Sequence, residues 1–83
     1  MREIIEALNI LNGKDVNIYT KHKLFGEQHI VMKFVPETAV GVGFRCKDQI
    51  IYIDADDVVS CQVENGQVII NGNMMQIIIV PSA

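Results

Sequence analysis

Apolar and polar positions follow two different periods along this chain. Over residues 1–12, Ile4, Ile5, Leu8 and Leu11 fall at i, i+1, i+4 and i+7, the stripe of one helix face. Glu3 and Glu6 stand near the start, where the helix dipole favours acids. Asn12-Gly13 is a stop signal, because both residues tolerate the left-handed conformation that ends helices. The spacing therefore predicts one short helix over 1–12. A helix this short is unstable alone, so its stripe must dock on something.

From Gly13 onward the period is two. Asp15–Lys21 sets Val16, Ile18 and Thr20 on one face, with Asn17 and Tyr19 on the other. Lys21–Glu27 reads as a polar connection. Gln28–Val35 sets Ile30, Met32 and Phe34 on one face. Pro36-Glu37-Thr38 reads as a turn, since Pro fixes φ. Ala39–Cys46 alternates again, with Val40, Val42, Phe44 and Cys46 facing one way. Lys47-Asp48-Gln49 is a second turn, and Ile50–Asp54 a short strand. Ala55-Asp56-Asp57 suits a single tight helical turn, and Val58–Glu64 resumes strand character. Asn65-Gly66 is the preferred pair for a two-residue hairpin. Gln67–Ile70 and Met74–Val80 pair around Asn71-Gly72-Asn73, and Pro81 ends the last strand.

Composition sharpens this pattern. The chain holds 13 Ile and 10 Val against 3 Leu, and two of the Leu lie in the predicted helix. Branching at Cβ suits a pleated strand better than a helix, so a helical bundle is excluded and a mostly-β fold expected. At 83 residues there is room for one domain, 1–83, whose burial alone gives marginal stability. The run Ile77-Ile78-Ile79-Val80 is apolar on both faces and must be covered on both, which is hard for a small monomer. A homo-oligomer is therefore expected, independently of any family.

Charge and cysteine content narrow the partners. The net charge of −3 argues mildly against non-specific nucleic-acid binding. Two cysteines, Cys46 and Cys61, are too few for a disulfide framework and read as small buried thiols in a reducing compartment. No apolar run of about 18 residues occurs, so no membrane partner is expected. No signal-peptide cleavage pattern is present either, and a cytoplasmic location is expected.

Candidate chemistry is sparse. Asp54, Asp56 and Asp57 form the densest carboxylate group. They lack the Gly-rich loop and distal Glu of a calcium loop, and capping of the short turn is the simpler role. His22, His29, Cys46 and Cys61 show no zinc spacing. No nucleophile–base pair is recognisable. No enzyme, cofactor or metal is expected. Lys21-His22-Lys23 is the one basic cluster and a candidate for phosphate contact. Tyr19 and Tyr52 are the tyrosines available for base stacking or for a barrel wall. Gly41 and Gly43, two apart on one strand face, permit strong bending or close approach by another backbone.

The order of helix, three strands in meander, short strand, single tight turn and further strand resembles the Sm-like barrels of the Sm, LSm and Hfq proteins. The most specific stretch is Ile50-Ile51-Tyr52-Ile53-Asp54-Ala55-Asp56-Asp57-Val58-Val59-Ser60, which looks like the second Sm motif. The likeness covers roughly residues 1–64. It implies a small five-stranded barrel over 14–64 behind the helix, with 67–80 as an extra C-terminal hairpin. It also implies ring-like homo-oligomers and RNA as ligand, with weak contacts from Lys21, His22, Lys23 and Tyr52. The departures count against RNA. Pro36 and Ala39 stand where the first motif offers an acid and Asn, and Ile53-Asp54 where the second offers a basic residue. The expected oligomer interface draws on Ile51, Ile53, Val59, Cys61, Ile77 and Ile79. The competing expectation is a structural or adaptor module that binds no nucleic acid.

Overall fold

The computed structural model describes residues 2–82. Helix α1 (Arg2–Leu11) leads into β1 (Asp15–His22) and β2 (Gly26–Lys33). Then come β3 (Pro36–Glu37), β4 (Gly41–Cys46) and β5 (Gln49–Asp54). A 3₁₀ turn at Ala55–Asp57 precedes β6 (Val58–Glu64), β7 (Gln67–Gly72) and β8 (Met75–Pro81). The fold is mostly β, with one N-terminal helix. The helix stripe docks as its spacing requires, with Ile4, Ala7, Leu8 and Leu11 buried. The Asn65-Gly66 hairpin forms as well. Both residues take positive φ, 51° and 80°, which is the backbone that joins right-twisted strands in a two-residue turn.

The strands divide into two sheets, every pair antiparallel. One has five strands in the order β2-β1-β8-β7-β6, the other three in the order β3-β4-β5. Both sheets are open, so the expected closed barrel is not what the strands build. The predicted meander through β1, β2 and β4 is also broken. After Lys33 the chain leaves the larger sheet for the smaller one. Phe34 anchors that crossing: its N–H donates to Lys14 O at 2.8 Å, and its carbonyl accepts from Gly13 N–H at 2.9 Å. The expected turn at Pro36–Thr38 contains a two-residue strand, Pro36 and Glu37 pairing with Phe44 and Gly43. Glu37 is buried. Its carboxylate accepts from Arg45 Nη2 at 3.1 Å and from Ala39 N–H at 3.0 Å, which satisfies the charge where burial alone would penalise it.

The C-terminal hairpin is not an appendage. β8 lies between β1 and β7 at the centre of the larger sheet, with Ile18 opposite Ile79 and Thr20 opposite Ile77. The core between the sheets collects Val16, Ile18, Val68, Ile70, Ile77 and Ile79 from the larger sheet, with Phe34, Val42, Phe44 and Ile53 facing them. Gly41 and Gly43 are buried beneath Tyr52 and the β5 backbone. A Cβ on Gly43 would collide with Ile51 O, so the pair serves close backbone approach.

Candidate functional site

The β1–β2 hairpin turns through Lys23–Phe25 and returns at Gly26, whose φ of 81° suits glycine. This turn lies within the stretch that reads as a polar connection, yet it carries two large apolar side chains outward. Leu24 is 72% exposed and Phe25 80%. The turn is nevertheless fixed. His22 Nδ1 accepts the N–H of Leu24 at 3.0 Å and of Phe25 at 3.3 Å. The His22 and Phe25 rings pack with centroids 4.6 Å apart. Lys23 N–H donates to Met74 O at 2.9 Å, which ties the tip to the β7–β8 turn.

These bonds assign the histidine's tautomer. With Nδ1 accepting two amides, the ring proton sits on Nε2, leaving that nitrogen a donor to solvent or ligand. The ring atom that would act as a base is already used by the backbone.

Three of the four expected RNA contacts, Lys21, His22 and Lys23, line one open hollow of about 460 Å³ with Gly72, Met74 and Gln76. The fourth, Tyr52, meets His22 across a neighbouring hollow of about 170 Å³, and Asp54 and Asp57 line that hollow too. All four are thus brought to one end of the molecule. Their electrostatics are mixed. Lys21 already has Glu27 at 3.8 Å, and the two carboxylates beside Tyr52 would repel a phosphate. The short turn that carries the acids is not capped by them as expected. Asp54 sits at the N-cap position with no side-chain capping bond, and Asp57 instead accepts from Asn73 Nδ2 at 3.3 Å. Among the described residues no three His, Cys, Asp or Glu side chains converge as a metal site.

The expected interface residues scatter. Ile53, Ile77 and Ile79 are buried in the chain's own core, so their side chains are not free to meet another copy. Ile51 is half-buried against that core, and Cys61 likewise. Val59 alone of the six is well exposed, at 66%. Both cysteines are free thiols and only half-buried, less covered than the buried thiols expected. Burial pushes the Cys61 thiol up, and the negative charge of Glu3 adds to the shift.

Among the exposed features outside the sequence expectations are the Leu24–Phe25 tip and Val63 on β6. The first had a signal. Two large apolar residues immediately before a glycine, between strands with two-residue periodicity, have no strand face to occupy and must project from the turn.

On a second surface, the outer face of the larger sheet, Tyr19 and His29 stack at 4.5 Å with planes 3° apart, and His29 Nε2 bonds Asn17 Oδ1 at 2.9 Å. Tyr19 is therefore engaged with a cross-strand neighbour. No helix among the described residues is long and apolar enough to cross a membrane. No protein-family model, curated protein or solved structure matches this chain.

Proposed function

We propose that the chain is a non-enzymatic interaction module that works through exposed apolar surface and counts a second copy of itself among its partners. The observation that carries this reading is the tip. The backbone N–H groups of Leu24 and Phe25 donate to His22 Nδ1 and that of Lys23 to Met74 O, so the apolar surface of the tip is pre-organised. Pre-organised apolar surface rimmed by polar groups is what docking sites present.

RNA binding is the second reading, supported by the gathering of Lys21, His22, Lys23 and Tyr52 at one end. Asp54, Asp57 and the Lys21–Glu27 pair weigh against it. The Sm-like barrel and its ring are supported by the helix and by the run from β5 through a 3₁₀ turn to β6. The open sheets and the central place of β8 depart from it.

Two measurements test the readings together. Light scattering is expected to give a mass above the 9.3 kDa of one chain, and a strict monomer at every concentration overturns self-association. Titration with short single-stranded RNA at low salt is expected to show no binding. Salt-sensitive binding that is lost in Lys21→Ala and Lys23→Ala would favour the RNA reading instead.

A further inference from the structure

A neutral imidazole accepts through one nitrogen and donates through the other, whereas the protonated ring donates through both. The acceptor nitrogen of His22 is committed, because Nδ1 takes the N–H of Leu24 at 3.0 Å and of Phe25 at 3.3 Å. A proton on Nδ1 would set one N–H against two others. The closed tip and the His22 cation therefore exclude each other. The tie at the base of the tip does not titrate: Lys23 N–H donates to the main-chain oxygen of Met74 at 2.9 Å.

We infer that His22 makes the β1–β2 tip a proton-sensitive latch, closed on the neutral ring and released at Leu24 and Phe25 when the ring is protonated. Histidine changes charge between about pH 5 and 8, so release falls at mild acidity. The sign follows from the form that the closed tip accepts. It accepts the neutral ring, so closure is complete at the alkaline end and is lost as pH falls. Charges of both signs surround the ring. On its own hairpin Lys21 and Lys23 line a hollow with it and disfavour the cation, although Lys21 has Glu27 of β2 at 3.8 Å. Tyr52 and Asp54 of β5 and Asp57 of the 3₁₀ turn share the smaller hollow with His22. The two carboxylates give the cation a counter-charge once the amides are let go. Asn73 and Met74 of the β7–β8 turn do not titrate, and the hollow toward Gln28, Gln49 and Ile51 carries no charge. The Phe25 ring, 4.6 Å away, attracts a cation through its face, so the ring contact outlasts the amide bonds. What is released is the backbone at 24–25, with its base still tied at Lys23. The latch stands on this geometry; that it governs docking rests on the interaction reading proposed above.

The test is amide hydrogen exchange by NMR on the full chain, from about pH 8 to 5, with each rate compared to that of an unstructured amide at the same pH. Protection of the Leu24 and Phe25 amides is expected to fall about fivefold or more as the ring protonates, while Lys23 and the amides of β8 keep theirs. Nitrogen-15 shifts are expected to place the proton of the neutral ring on Nε2. His22→Asn retains an acceptor atom bonded to Cγ, within reach of the amide two residues on, and does not titrate. Its tip is expected to stay protected across the whole range. His29→Asn, which removes the other histidine, is expected to leave the profile unchanged. A flat profile in the native chain, a neutral ring with its proton on Nδ1, a pH dependence that survives His22→Asn, or one that disappears in His29→Asn overturns the latch. So does protection lost at the tip only together with β8, which is global unfolding. A chain that docks nothing through its tip overturns the interaction reading and leaves this profile standing.

Discussion

The run Ile77-Ile78-Ile79-Val80 and the turn Lys23-Leu24-Phe25 exchange the roles their composition suggests. The greasiest segment of the chain is among its best covered. Ile77 and Ile79 are fully buried, and Ile78 and Val80 are half-covered on the outer face by neighbouring strands. The stretch that reads as polar presents the two most exposed large apolar side chains among the described residues. Local hydropathy is similar in kind at Leu24 and Ile77, but position in the sheet is opposite. A central strand has neighbours on both edges and a second sheet across the core, whereas a hairpin tip has none of these. The most exposed apolar surface therefore lies at the tip rather than in the C-terminal run.

Substitution in β8 gives the strongest check. Ile77→Ala is expected to cost about 2–5 kcal/mol in denaturant unfolding, the range for truncating a buried Ile. A cost below about 1 kcal/mol would mean that β8 is not the centre of the core. Next in size is His22→Ala, which removes the acceptor shared by two backbone amides. A loss of about 1 kcal/mol is expected, with faster hydrogen exchange at the amides of Leu24 and Phe25. Unchanged exchange there would show that the tip is not held by the ring. Smaller still is Leu24→Ser with Phe25→Ser. These side chains bury little within the chain, so stability should change by less than about 0.5 kcal/mol. A large loss would place them inside an interface already formed in solution.

The smallest effect is at Cys61, intermediate between the two regions in exposure. Its thiol is raised above the ordinary 9.0, first by burial and then by Glu3. Both causes disfavour the thiolate, which is the form that reacts. Alkylation of Cys61 in the Cys46→Ser chain should therefore keep accelerating as pH rises past 9.0. Glu3→Gln should speed it at any fixed pH below that plateau. Equal rates with and without the Glu3 charge would remove Glu3 as a cause.

Local signals were legible where local physics decides the outcome. The helix stripe, the Asn65-Gly66 turn, the single turn at 55–57 and the alternation in β1 and β5 all follow from residues within a few positions of one another. Strand partnership did not follow, because Ile18 meets Ile79 across most of the chain and no short-range pattern selects that pairing. Once β8 is placed between β1 and β7, the rest changes. β2 no longer neighbours β4, the hairpin becomes the sheet's middle, and Ile77 and Ile79 leave the surface. Of the candidate site, the basic cluster and Tyr52 were readable as residue types. Their meeting at one end was not, since it depends on the β7–β8 turn lying against the β1–β2 tip.

The pairing of β1 with β8 also sets a timetable for folding. Asn17 and Val80 lie opposite each other, and Ser82 N–H reaches Asp15 O at 2.9 Å. The first strand thus waits for the last, and bringing them together closes a loop of roughly sixty residues before any contact rewards it. During synthesis the β1–β2 hairpin can form early, but its inner face, Val16 and Ile18, stays uncovered until β8 emerges. The chain's vulnerable moment is therefore the interval before its final strand arrives, when the face that will become the core is open to whatever else is in solution.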